Sequence, residues 1–282
     1  MKIEFTKMHG IGNDYIYVNC IDGEPCDLGE LSKVMSPRHF SVGSDGLVGI
    51  CASDIADAKM RMFNLDGSEG KMCVNAIRCV GKYLYDNGIC KKTELDIETL
   101  SGIKHLQLFV EDDQVQSVRV DMGKASFDPD DIPVCCSESM IEEEYCLDDF
   151  CCTATAVSVG NPHCVIRLKR RPKDFRVEKY GPMSECNPLF PEGVNTEFIF
   201  VEEGNVIDMR VWERGSGETY ACGTGACAVA ASAVKNGWCE AEKPIKVKLI
   251  GGVLEIVVSK DFDLTMTGPC TKVYDGVYEY EN

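Results

Sequence analysis

Alternating apolar and polar positions predict short strands in the first half of the chain, at residues 2–7, 15–19, 46–51 and 58–63. A helical run follows from Cys73 to Asp86, then a strand near 93–99 and a hairpin turning at Glu111-Asp112-Asp113. The stretch "DLGELSKVMS" from Asp27 predicts another helix, with Asp27 and Glu30 at the spacing of a capping box. In the second half the same order returns, with strands at 154–159 and 163–168 and a helical piece from Asp174. A hairpin turning at Glu203-Gly204-Asn205 comes next, then a helix from Cys222 to Lys235 and strands at 245–250 and 253–258 around Gly251-Gly252.

The two halves match at a nearly constant offset. Glu69 meets Glu218, Cys73 meets Cys222 and Asn87-Gly88 meets Asn236-Gly237, each 149 residues apart. Gly12-Asn13 meets Gly160-Asn161 at 148, and Asp27 meets Asp174 at 147. Such repetition predicts two similar domains related by a pseudo-twofold. Each half holds more strand than helix and one central apolar helix, which makes the fold class α+β rather than a doubly wound sheet. The boundary is expected near Met122-Gly123, where strand gives way to "KASFDPDDIP", and "MTGPC" at 266–270 returns the chain to the first domain. The expected domains are 1–122 with 268–282, and 123–267.

Composition narrows the function classes. With 44% hydrophobic and 27% charged residues among 282, the chain is ordinary for a globular protein. The net charge of −17 argues against nucleic acid or an anionic membrane as partner. No apolar leader opens the chain and no run approaches the roughly 18 apolar residues of a membrane span, so a cytoplasmic protein is expected. Seventeen cysteines occur without a single Cys-x-x-Cys, which supports neither a disulfide framework nor a zinc ribbon. Cys135-Cys136 and Cys151-Cys152 read as surface or core thiols, and most of the rest as small buried hydrophobes under reducing conditions.

Two cysteines stand apart because each sits where a helix begins. The first N–H groups of a helix lack internal partners and carry partial positive charge, which predicts a thiol pKa lowered toward neutrality at Cys73 and Cys222. Gly223 and Gly225 leave backbone open to an anionic ligand. A pseudo-twofold would turn both helix starts toward one pocket. Two tuned thiols and two sets of N–H donors around a carboxylate suit inversion at an α-carbon, one thiolate removing the proton while the opposite thiol delivers another. This reading predicts cofactor-free racemisation or epimerisation of an amino acid, with no metal.

The blocks "KMHGIGNDY", "SVGSDGLV", "FNLDGSE" leading to Cys73, "VGNPHCV", "GVNTEF" and "ERGSGETYACGTGACA" resemble diaminopimelate epimerases over essentially the whole chain. The resemblance implies two pseudo-symmetric domains, each a mostly antiparallel, barrel-like wrap of strands around a central helix. It implies pyridoxal-independent interconversion of LL- and meso-diaminopimelate in lysine and cell-wall biosynthesis, with Cys73 and Cys222 as the acid–base pair. Asn13 would lie near the reacting centre, and the N–H groups of Val74, Asn75, Gly223 and Thr224 would hold its carboxylate. Asn64, Asn161, Asn195, Glu213 and Arg214 match positions that hold the distal amino acid end, with His163 and Glu213 close to the cysteines. A homodimer is implied in the same way. The block after the first cysteine departs from the family's Cys-Gly-Asn-Gly, reading Cys73-Val74-Asn75-Ala76. A β-branched valine resists the close approach that glycine allows, which narrows the pocket, slows turnover or marks another substrate.

Three other readings compete. A related racemase for histidine or another amino acid would keep both cysteines and use the distal pocket differently. A non-catalytic amino-acid-binding paralogue would bind without exchanging the α-proton. Gly223-Thr224-Gly225-Ala226-Cys227-Ala228 fits a dinucleotide fingerprint, but the opening βαβ unit and the following acidic residue are missing.

Overall fold

The alternating stretches become strands packed around one buried helix in each half of the chain. A computed structural model describes residues 1–281, which divide into Met1–Asp121 joined by the chain from Gly268 onward, and Met122–Thr267.

In the first unit, β1 (Lys2–Gly10) and β2 (Asn13–Cys20) form a hairpin. Its two-residue turn, Ile11 and Gly12, takes φ of 46° and 93°, the left-handed pair that matches the twist of a hairpin. Helix α1 (Leu28–Met35) starts where the Asp27 side chain accepts the Glu30 N–H at 2.9 Å. Then come β3 (Gly46–Cys51), β4 (Ala58–Asn64), the short β5 (Glu69–Gly70) and helix α2 (Val74–Asp86). Strands β6 (Glu94–Thr99), β7 (Gly102–Glu111) and β8 (Gln114–Lys124) follow. Side chains of β1, β2, α1 and β3, among them Ile3, Ile16, Leu31 and Leu47, bury one core against one another. Helix α2 is buried along almost its whole length, and its Lys82 is neutralised by Asp86 at 2.7 Å and bonded to the Val115 carbonyl.

The second unit contains β9 (Glu143–Leu147), β10 (Phe150–Ser158), β11 (Pro162–Arg167), α3 (Val177–Glu185), β12 (Asn195–Glu202) and β13 (Val206–Glu213). It continues with β14 (Gly217–Glu218), α4 (Gly223–Lys235), β15 (Ile245–Lys248), β16 (Val253–Val258) and β17 (Asp263–Pro269). The central helix α4 is rich in alanine, and Ala226 to Ala231 are all buried, so surrounding strands can approach it closely.

The two units repeat strand by strand. The antiparallel pair β1–β2 recurs as β10–β11, and the parallel pair β2–β3 as β11–β12. The antiparallel β3–β4 recurs as β12–β13, and the parallel β4–β6 as β13–β15. Even single partners agree, Phe63 facing Glu69 as Trp212 faces Glu218. Helices α2 and α4 both have 13 residues and both end at an asparagine cap. A left-handed glycine follows each cap, Gly88 at φ 72° and Gly237 at φ 71°, the usual way to stop a helix sharply. The expected α+β fold is thus present, its mostly antiparallel pairing interrupted by parallel pairs such as β2–β3 and β11–β12. Strand β18 (Thr271–Glu279) follows the whole second unit and lies antiparallel along β1, from Lys2 opposite Glu279 to His9 opposite Thr271.

Two expectations need correction. The helical piece expected from Asp174 starts later: residues 172–174 form one tight turn, and α3 begins at Val177 because Phe175 is extended. The cysteines are not all free thiols either. Cys146 and Cys151 are joined as a disulfide because the β9–β10 hairpin register sets them opposite each other, with Cα atoms 4.1 Å apart. The other fifteen cysteines are free.

Candidate active site

Each of the two cysteines lies on the loop that enters the central helix of its unit. Cys73 is the N-cap of α2 and Cys222 the N-cap of α4, both with extended backbone. The two-residue strand before each loop is clamped to its neighbour by a bidentate ion pair. Arg61 Nε and Nη2 donate to Glu69 at 2.8 Å each, and Arg210 Nε and Nη2 donate to Glu218 at 2.6 and 2.8 Å. The acidic residue four positions before each cysteine is therefore a structural anchor.

Around Cys73, the sulfur donates to Asn13 Oδ1 at 3.2 Å. Asn13 is oriented by Asp45, whose Oδ2 accepts its Nδ2 at 2.8 Å and the Asp14 N–H at 3.1 Å. Arg38 bridges Asp14 and Asp45, and Lys7 pairs with Asp14 at 2.5 Å. Behind the helix start, the fully buried Arg78 donates from Nη2 to Asn75 Oδ1 at 3.0 Å and from Nη1 to the Val74 carbonyl at 3.4 Å. Val74 and Asn75 are buried, whereas Asn64 is exposed at the end of β4 and bonded to Ser68.

Around Cys222, the N–H of Gly225 meets the sulfur at 3.3 Å and the Thr224 hydroxyl lies 3.5 Å away. Gly223 is buried at the first helical position. Glu213 accepts from the Thr219 hydroxyl. His163 is completely buried, with Nδ1 2.7 Å from Glu197 Oε1 and Nε2 3.1 Å from Asn161 Oδ1. Asn195 is occupied with backbone, donating to the Pro162 carbonyl at 3.1 Å and accepting the Arg214 N–H at 2.9 Å. It thus fixes the segment that carries Arg214, whose exposed guanidinium donates to the Glu192 carbonyl at 2.7 Å.

A family model described as diaminopimelate epimerase matches residues 5–128 and 155–273, which includes both cysteine loops. The chain belongs to the diaminopimelate epimerase family. A diaminopimelate epimerase of Methanococcus maripaludis is 49% identical over 97% of this chain and 99% of its own length. One of Acetivibrio thermocellus is also 49% identical, over 97% and 98%, and one of Bacillus pumilus 44%, over 98% and 99%. Among solved structures, a Bacillus anthracis phenazine biosynthesis protein of the PhzF family overlays with a TM-score of 0.72 at 17% identity, covering 99% of this chain and 100% of that one. A hydroxyproline epimerase of Agrobacterium vitis overlays at 0.70 and 15% identity, covering 98% and 91%. These two likenesses concern the fold.

For this member of the diaminopimelate epimerase family, the expected lowering of the thiol pKa values is overturned. Burial pushes Cys73 up, with the Ala76 and Asn75 N–H groups, the Tyr15 hydroxyl and the Arg78 charge pulling the other way. Burial pushes Cys222 well up, and the nearby Glu213 and Glu197 carboxylates push it further. Desolvation of the charged form outweighs the helix start at both, more at the buried Cys222 than at the half-buried Cys73. Burial likewise raises Glu213 and Glu197.

Reading the sequence missed Glu197, Asp45, Arg78 and the two clamp arginines. Glu197 carried a signal: a lone carboxylate within the apolar run "TEFIF". Gly225 also proves to serve another purpose. A Cβ there would lie 2.7 Å from Glu197 Oε1 and 3.1 Å from Cys222 Sγ, so its missing side chain admits the carboxylate. Among the described residues, Glu144, Cys146 and Cys151 bring ligand atoms within 4.8 Å of one another, but the two sulfurs are bonded together.

Proposed function

We propose that the protein is a cofactor-independent isomerase that converts LL- to meso-diaminopimelate, a precursor of lysine and peptidoglycan, with Cys73 and Cys222 as its two acid–base groups. The observation that carries this reading is the pair of thiols at repeat-related N-caps, in a chain of the diaminopimelate epimerase family. One thiolate takes the α-proton while the other thiol returns a proton to the opposite face. The N–H groups of Val74, Asn75, Gly223 and Thr224 would take the carboxylate, where enolate-like charge develops. Asn13 would serve at the reacting end. Asn64, Asn161, Asn195, Glu213 and the Arg214 fork would serve at the distal end. The residues around Cys73 favour its thiolate more than those around Cys222, where two carboxylates oppose a third negative charge. Cys73 is therefore assigned as the first of the two to ionise.

We place the reaction in the cytoplasm, in keeping with fifteen free thiols. No helix among the described residues is long and apolar enough to cross a membrane. A homodimer is supported by β18, which exposes Val273, Tyr274 and Val277 along a strand paired with β1. Light scattering of the eluting protein should then give twice the chain mass.

Proton NMR in D2O, with LL-diaminopimelate, meso-diaminopimelate and L-histidine offered separately to reduced protein, tests the assignment. Loss of the diaminopimelate α-proton signal, abolished in Cys73→Ala and in Cys222→Ala, is the expected result. Exchange with histidine alone would replace the substrate. Binding of diaminopimelate without exchange would make the chain a binding paralogue.

A further inference from the structure

An amide oxygen faces the Cys73 sulfur, and a third side chain sets its direction. Cys73 Sγ and Asn13 Oδ1 stand 3.2 Å apart, while Asn13 Nδ2 donates to Asp45 Oδ2 at 2.8 Å. An amide could meet the sulfur with either end, and the two ends have opposite effects on a thiol. The oxygen only accepts, so it favours S–H, whereas the NH2 group would donate to a thiolate. Asp45 decides between them. Its Oδ1 pairs with the Arg38 guanidinium at 2.8 Å, and its Oδ2 also accepts the Asp14 N–H at 3.1 Å. The Asp45 N–H returns to the Asp14 carbonyl at 2.8 Å, which anchors the carboxylate at its own backbone. An ion-paired carboxylate only accepts, so the end of Asn13 that turns to it must be the NH2 group. The reverse arrangement, with Asn13 Oδ1 toward Asp45, would need a proton on a part-exposed carboxylate beside a guanidinium.

The other polar neighbours of the sulfur act in the opposite sense. The Tyr15 hydroxyl from β2, the Asn75 and Ala76 N–H groups from α2 and the Arg78 charge all favour a thiolate. Tyr17 and Cys79, which also lie near it, are kept neutral by burial. Behind Asn13, Lys7 and Arg38 pair with Asp14 and Asp45.

We propose that Asp45 is a positioning residue for the acid–base chemistry: by fixing the Asn13 amide with its oxygen toward Cys73, it holds the proton on that sulfur against the donors around it. The proposal rests on the reading of Cys73 as one of the two acid–base groups. Cys73 remains the first of the two thiols to ionise, but at a higher pH than its helix start and its donors alone would set.

The test is the pH dependence of iodoacetamide labelling of the reduced, full-length protein, read at the Cys73 peptide by mass spectrometry. Asp45→Asn keeps the shape and lets residue 45 donate, so the Asn13 amide can turn its NH2 group to the sulfur. The labelling midpoint of Cys73 should then fall by about one pH unit, a tenfold shift toward thiolate. Loss of a negative charge would lower it too, so the same substitution is made in Asn13→Ala protein. There the shift should shrink to less than about a third, because the coupling runs through the amide. Asn13→Ala alone should lower the midpoint, since the acceptor for S–H is gone. In turnover, the limb of the diaminopimelate kcat/KM profile that belongs to Cys73 should move down with the labelling midpoint in Asp45→Asn. An unmoved or higher midpoint in Asn13→Ala would overturn the proposal even if Asp45→Asn failed to fold. Equal shifts with and without Asn13 would also overturn it, as the mark of charge alone, and so would a midpoint that Asp45→Asn leaves in place. Wild-type protein that exchanges no α-proton would instead overturn the diaminopimelate reading, and the labelling midpoints would still decide the role of Asp45.

Discussion

Gly225→Ala sets a local gain against a packed obstacle. Gly225 lies in the first turn of α4 with ordinary helical backbone, so alanine meets no backbone strain and gains up to about 1 kcal/mol in helix propensity. Its methyl group, however, would sit 2.7 Å from Glu197 Oε1, 3.0 Å from Met209 Cε and 3.1 Å from Cys222 Sγ. Met209 presents a flexible end that can swing aside. Glu197 cannot do so freely, because His163 holds the same oxygen at 2.7 Å in a fully buried setting. Displacing it leaves a buried hydrogen-bond partner unsatisfied at about 1–3 kcal/mol, and overpacking adds about 1–3 kcal/mol. The expected net loss is roughly 1–5 kcal/mol. Both tryptophans, Trp212 and Trp238, lie in the second unit, so their fluorescence in urea follows the unit that carries the change. A loss of about 3 kcal/mol should lower the midpoint by about 1–3 M at unchanged slope. A Gly225→Ala protein as stable as its parent, with diaminopimelate turnover intact, would refute the reasoning.

Raised thiols should be poor nucleophiles at pH 7, with iodoacetamide labelling of Cys73 and Cys222 rising at midpoints above about 8.5 and Cys73 labelled first by peptide mass spectrometry. The folded state holds those protons more tightly than the unfolded chain, so stability should fall as pH climbs from about 8.5 through the folded values; denaturant midpoints across that range check the sign. Arg210→Ala strands Glu218 and the Phe175 and Pro172 carbonyls, which accept from Arg210 at 2.6 and 3.0 Å. It should cost roughly 2–4 kcal/mol by tryptophan fluorescence and lower kcat through a looser Cys222 loop. Val74→Gly should raise kcat/KM for diaminopimelate by opening the helix start, while thermal or urea unfolding shows a loss of roughly 2–3 kcal/mol from the deleted side chain and the added glycine.

Much of the frame was legible because it depends on local chemistry written twice. The offset of 149 between Cys73 and Cys222 is also the offset between the starts and ends of α2 and α4, and Asn-Gly stops both helices. The turns at Asp112-Asp113 and Gly204-Asn205 were also legible, because left-handed turns need particular residues. What escaped depends on distance in sequence. Glu69 and Glu218 looked like companions of the cysteines, yet their partners Arg61 and Arg210 lie one strand earlier and are reached only through pairing. Cys146 and Cys151 became a disulfide through hairpin register, which odd totals and spacing rules do not encode. The direction of the thiol shifts failed for a related reason. A helix start is a local feature, whereas desolvation is set by everything that packs over it. The side chains of Asn195 and Asn75 also carry internal bonds, to the Arg214 N–H and the Arg78 guanidinium, which no spacing in the sequence announces.

The pairing of β18 with β1 has a consequence for the order in which the protein forms during translation. Thr6 opposes Asp275, so the sheet that begins the chain is not finished until the second unit has been synthesised. At about 5–20 residues per second, β1 waits roughly 13–52 s for its neighbour, long enough for the uninterrupted second unit to fold first. During that interval the edge of β1 is open to any extended chain nearby, including another nascent copy. The sheet of the first unit is therefore completed last, after every strand of the second has been made.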